Sequence, residues 1–193
     1  LAIVEGGSAA PSAVKKDTQL PSGAKLKFYL EPMSPCSVYL LLLATALDAS
    51  GNWDSARNAL EDAAWLDPKN PQIVNYLGYS LLERRIDVAR GFELVSKAHQ
   101  LAPQSAAITD SLGWAHFLRG EVDEAIPLLE RAVTAAIADA AINEHLGDAY
   151  WSAGRRSEAR FLWKAALLAA EGKAKHRLAQ KIDFGWSKET AAP

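Results

Sequence analysis

The chain has 193 residues, 21 Lys and Arg against 23 Asp and Glu, 49% hydrophobic and 23% charged. A net charge of −2 with both signs interspersed argues against nonspecific nucleic-acid binding and against a polybasic membrane patch. Cys36 is the single cysteine, which excludes an intrachain disulfide framework and a cysteine-rich metal site. The length allows one ordinary domain or two small ones, and the apolar fraction is enough for a core.

Residues 1–24 contain no aromatic side chain and are dominated by Gly, Ser, Ala and Pro. Such a segment buries too little surface to offset its own ordering entropy, so residues 1–36 read as an N-terminal arm or linker. Within it Leu26 to Leu30 is apolar enough to dock, as a degenerate helix or as an extended strand. The chain starts at Leu1 rather than Met and reads as a piece of something longer, with any export signal upstream. The most apolar run, Val38 to Ala46, is far short of the ~20 residues a spanning helix needs. Glu31, Pro32 and Pro35 just ahead of it count against a signal-peptide core. No direct membrane insertion is expected in this segment.

A repeat explains that run better. Leu43-Ala44, Leu77-Gly78, Leu112-Gly113 and Leu146-Gly147 recur at intervals of 34 (77−43), 35 (112−77) and 34 (146−112). About a dozen residues after each pair stands a small residue: Ala56, Gly91, Ala125 and Ala159. Another follows at Ala63, Ala98, Ala132 and Ala166. Pro68 and Pro103 close the first two units, where Ile137 and Glu171 stand in the last two, and Gly51, Gly120 and Gly154 fall between the halves of their units. This is the pattern of a helix-turn-helix unit. Small residues permit two antiparallel helices to cross closely, glycine supplies a left-handed turn, and proline stops the second helix. The second unit carries one extra residue between Leu81 and Gly91, which predicts an altered turn there.

With these residues the chain resembles the tetratricopeptide repeat (TPR) proteins. The first unit does so through Leu40, Leu43, Ala44, Leu47, Ala56, Leu60, Ala63 and Pro68, and the third through Leu112, Gly113, Gly120, Ala125, Leu129 and Ala132. The fourth adds Leu146, Gly147, Tyr150, Gly154, Ala159, Trp163 and Ala166. The strings Asn75-Tyr76-Leu77-Gly78-Tyr79, Asp110-Ser111-Leu112-Gly113-Trp114 and His145 to Trp151 are similar to the C-terminal repeats of larger proteobacterial TPR proteins, several of them exported or lipid-anchored. The resemblance implies an all-α, right-handed superhelical solenoid of about four units, over 37–70, 71–105, 106–139 and 140–172. Residues 173–184, basic but with Leu178 and Ile182 four apart, read as a capping helix with a solvated outer face, and 185–193 as a flexible tail. For location it leaves a bacterial periplasmic or outer-membrane setting slightly ahead of the cytoplasm.

Enzyme signatures are absent: there is no Gly-rich phosphate loop, no Gly-x-Ser-x-Gly elbow and no His-Glu-x-x-His. Cys36 has no nearby His or basic pair and reads as an inert residue rather than a nucleophile. His145 and Asp148 share one helix face, but a metal site would need a third ligand such as His116 from the neighbouring unit. No catalytic residue, metal or cofactor is expected.

The functional expectation therefore rests on the inner surface lined by the first helix of each unit. If the units pack as the resemblance implies, that surface takes Leu41, Thr45 and Asp48 from the first unit and Asn75, Tyr79 and Leu82 from the second. Asp110, Trp114 and Phe117 join from the third, and Glu144, Asp148 and Trp151 from the fourth. A carboxylate clamp of Lys, Arg and Asn is not expected, because only Asn75 matches it. The acids and aromatics, with Asn75, Tyr79, Asp110, Trp114, Phe117, Glu144, Asp148 and Trp151 as candidates, suit a protein or peptide segment with basic and apolar side chains. Packing between adjacent units is the other reading of Trp114 and Trp151, and a solvated face the other reading of the acids. On the binding reading, Trp114→Ala and Asp110→Lys weaken partner capture without harming the fold. The expected function is a non-catalytic adaptor; the alternative is a self-associating scaffold whose groove is filled by the N-terminal arm or by a neighbouring copy.

Overall fold

The computed structural model describes residues 35–187. The arm over residues 1–34, with the docking segment Leu26 to Leu30, and the tail beyond residue 187 lie outside the described residues. Those described form nine helices and no strand. They are α1 (Pro35–Ala49), α2 (Trp53–Leu66), α3 (Pro71–Glu83), α4 (Val88–Leu101), α5 (Ala106–Leu118), α6 (Val122–Ala135), α7 (Ala140–Ser152), α8 (Arg156–Ala169) and α9 (Gly172–Phe184).

Helices pair in chain order, α1 with α2 through α7 with α8, and each second helix packs on the first helix of the next pair. First helices also touch along their own row, α3 with α5 and α5 with α7. The result is an all-α repeat solenoid. Its pairs close over the small residues: Ala56, Ala63, Ala98, Ala125 and Ala159 are fully buried. A methyl group on Gly78 would stand 2.8 Å from Leu94 Cβ, and one on Gly113 would stand 2.7 Å from Leu129 Cγ.

The turn inside each pair is the same device four times. A residue with positive φ follows the first helix: Gly51 (82°), Arg85 (52°), Gly120 (81°) and Gly154 (81°). The next residue donates its N–H five residues back, Asn52 to Leu47, Ile86 to Leu81, Glu121 to His116 and Arg155 to Tyr150, which satisfies a carbonyl the ending helix leaves open. The second unit keeps this geometry with Arg85 where the others have glycine. Its extra residue comes afterwards, so α4 starts one position later than its counterparts. Between units, Asn70 Oδ1 accepts from Gln72 and Ile73 N–H, and Asp139 Oδ1 from Ala141 and Ile142 N–H, capping α3 and α7.

The largest core cluster joins the third and fourth pairs to α9. It contains Trp114, Phe117, Leu129, Leu146, Trp163 and Leu178, with Tyr79, Trp151, Ile182 and Trp186 packed against it. A smaller one, Ala44, Ala59, Leu60 and Leu77, holds the first pair to the second.

Gly147→Ala is expected to lower stability by about 1–3 kcal/mol, because its methyl would press on the buried indole of Trp163. Gly51→Ala meets no neighbour and should cost only the positive-φ strain, about 1 kcal/mol. Urea unfolding of both variants checks the order.

Candidate functional site

The row of first helices carries the candidate residues, and its two halves differ. On α3, Asn75 and Tyr79 are half-buried. Asn75 Oδ1 is sealed from water and has no hydrogen-bond partner. Tyr79 has its phenol pushed above the ordinary range by burial and by the nearby acids Glu83, Asp110 and Glu144. Tyr76 on the same helix donates to Asp48 of α1 at 3.0 Å, and Arg84 at the end of α3 pairs with the same carboxylate.

On α5 and α7 the candidates are inside the protein, except Trp151, which is half-buried. Asp110 is 5% exposed and accepts from His145 Nδ1 at 2.9 Å. The imidazole lies flat against Trp114, with centroids 4.2 Å apart, and Trp114 stacks in turn on Phe117 at 5.0 Å. Burial works against a charged His145, but Asp110, then Asp148 and Glu144, outweigh it and raise its pKa.

Helix α9 supplies the rest. Arg177 grips Glu144 through two hydrogen bonds, Nε at 2.7 Å and Nη2 at 2.9 Å. Lys181, fully buried, reaches Glu144 and both oxygens of Asp148 at 2.7 Å. Asp148 also accepts from the Trp163 indole at 3.0 Å. Burial opposes the charge on Glu144, yet Arg177 and Lys181 hold that carboxyl below its usual range. Burial dominates at Asp148 and pushes it up to about 6 against the pull of Lys181. Beyond α9 the chain turns at Gly185, φ 93°, which lies so close to Trp151 that a side chain there would enter its ring. Trp186 then meets Phe117 edge-on, 5.8 Å between centroids.

These positions differ from the sequence expectation in three ways. Asp110, Trp114, Phe117, Glu144 and Asp148 do not line open surface: α9 and residues 185–187 occupy that end of the row. The basic character of α9 is not wholly a solvated face, because Arg177 and Lys181 point inward while Lys173, Lys175 and His176 stay exposed. Residues 185–187 are packed rather than free. In consequence Trp114→Ala and Asp110→Lys would damage the fold, since one removes a buried indole and the other buries a lysine against His145. His145 pairs across to α5 rather than with Asp148 on its own helix. Arg177 and Lys181 were readable in principle, standing 33 residues beyond Glu144 and Asp148, one repeat further along the same row.

The family comparison agrees with this geometry. The sequence profile described as "Tetratricopeptide repeat" matches residues 41–106 and 89–141, just over half of the chain. The chain belongs to the tetratricopeptide repeat family, whose members generally serve as non-catalytic modules for protein–protein interaction. It is 37% identical over 67 residues to the TPR repeat-containing protein PA4667 of Pseudomonas aeruginosa, a match covering 35% of this chain and 11% of that protein. The chain thus corresponds to a small part of that relative's length.

Solved structures share the fold. MamA is 23% identical with a TM-score of 0.57, covering 79% of this chain and 82% of that one. The pilF protein of Pseudomonas aeruginosa is 17% identical with a TM-score of 0.59, covering 82% and 73%. The first TPR of Spaghetti (RPAP3), solved bound to the HSP90 peptide SRMEEVD, is 17% identical with a TM-score of 0.57, covering 65% and 98%.

The α9 lock has two expected signatures. Lys181→Met leaves Asp148 and Glu144 short of their buried cation and should cost about 3–5 kcal/mol; adding Asp148→Asn should recover much of it in urea unfolding. The second is pH dependence. Because the folded pKa of His145 is raised, its contribution is complete below about 6.5, the ordinary value, and is lost as pH rises through the elevated folded value. Stability should therefore fall across that window in the wild type, and His145→Gln should remove that part of the slope.

Proposed function

We propose that this chain is a non-catalytic adaptor that holds a segment of a partner protein against the first-helix row of its first two units. The observation that carries the reading is the contrast along that row. Its far end is filled by α9 and Trp186, while Asn75 and Tyr79 remain half-buried at the edge of the filled region, with the Asn75 amide oxygen unpaired. The Tyr79 ring would supply apolar contact to an incoming segment. Leu41, Thr45 and Asp48 extend the same surface on α1.

The remaining six candidates, Asp110, Trp114, Phe117, Glu144, Asp148 and Trp151, act on this reading by holding the C-terminal segment. They also indicate the ligand chemistry the row favours. Its occupant at that end presents Arg177, Lys181 and Trp186, basic and apolar together. Asp48 and Glu83 share Arg84, which pairs with both, and the one negative charge left over at the open end favours a partner segment of similar character. The peptide SRMEEVD seen with the Spaghetti TPR carries the opposite charge, and no Lys or Arg clamp for it stands among the candidate positions.

A photo-crosslinking residue at Tyr79 or Thr45 should form adducts with a segment of another protein, and one at the exposed Lys97 on α4 should not. Equal labelling from Lys97, or adducts confined to this chain's own residues, would overturn the reading.

A further inference from the structure

Past α9 the chain leaves the helix and crosses the first-helix row, from Trp151 of α7 to Phe117 of α5. Gly185 makes the turn in the left-handed region, and its N–H closes α9 on the Lys181 carbonyl at 2.8 Å. Arg160 donates from Nε to the Ile182 carbonyl at 3.0 Å, so the end of α9 is fixed from α8. A run of rings arrives at the same place from the other side. Tyr79 meets His145 at 6.2 Å between centroids, His145 lies on Trp114, Trp114 lies on Phe117, and Trp186 stands edge-on to Phe117.

Trp186 differs from the α9 residues before it in how its polar group is satisfied. Arg177 and Lys181 place their N–H groups on Glu144 and Asp148, and their departure would strand two buried acids. The indole N–H of Trp186 is sealed from water and meets no acceptor. Closure therefore forfeits a hydrogen bond that water returns as soon as the ring leaves its seat. The division between what is locked and what is releasable falls at Gly185.

We infer that residues 185–187 form a strap that opens about Gly185 while α9 stays locked, and that the seat it leaves on Phe117 and Trp151 takes an aromatic side chain of a bound segment. Closed, the strap is the chain's own occupant of that seat. Open, it lengthens the aromatic part of the row. The identity of the competitor rests on the partner-binding reading, since the proposed segment shares the basic and apolar character of the C-terminal one. The opening itself does not rest on that reading and is measured on the chain alone.

Indole N–H exchange, followed by NMR on the full chain, tests the opening. Trp114 is the internal reference: its indole N–H is also sealed and also lacks an acceptor, but its ring is fully buried inside the stack. A difference between the two therefore reports access to water rather than hydrogen bonding. Trp186 should exchange faster by roughly a hundredfold or more, at a rate unmoved by low urea. Equal rates, or a Trp186 rate that climbs with urea as that of Trp114 does, would mean release only by unfolding and would overturn the inference. N-acetyl-tryptophanamide is the probe for the seat. Trp186→Ala should bind it with a dissociation constant on the order of millimolar, shifting the Trp151 indole signal, and the wild type should bind it several-fold more weakly because its strap competes. A variant whose Trp151 signal ignores the probe, or a wild type that binds it equally well, would also overturn the inference. Fast Trp186 exchange without adducts at Tyr79 would remove the adaptor reading and keep the strap; slow exchange with those adducts would remove the strap alone.

Discussion

Every helix pair in this chain has an apolar face that only the neighbouring pair can cover, and the rest of the structure follows from that constraint. The small residues at the crossings keep each pair thin enough to stack, and stacking carries Ile73, Ile108 and Ile142 out of water. A structure held by nearest-neighbour contacts must solve a separate problem at each end. At the C-terminal end the solution is α9, which takes the place of a further first helix and adds charge to shape. Arg177 and Lys181 neutralise two acids that the stack would otherwise bury alone. The first described helix, α1, exposes an apolar stripe with no charge before Asp48.

The repeat was legible because it depends on local chemistry. Leucine followed by a small residue, an alanine at each crossing and a glycine at each turn are single-residue requirements, and their spacing survives in any context. Even the exception was informative: the extra residue of the second unit changed the entry to α4, while Arg85 kept the left-handed turn. The candidate site was legible only in part. The acids and aromatics of the first-helix row were identifiable, but what faces them depends on how the chain returns after the last repeat. A basic helix seen alone has a solvated face as its natural reading. The inward turn of Arg177 and Lys181 emerges only when α9 is set in register with α7. Trp186 could not be placed from spacing at all, because it lies past the end of the helical period and reaches Phe117 through the turn at Gly185.

Buried ionic groups of this kind are costly to assemble, since each ion loses its water before it gains its partner. The α9 contacts are therefore better understood as fixing one arrangement than as a source of net stability. Lys181 has hydrogen-bond geometry to Glu144 and Asp148 at once, and a helix slipped by one residue would take it from both. Such a register lock sets where the filled part of the row ends. Tyr79 packs against the filled cluster from α3, so on the proposed reading the open part of the row begins beyond it.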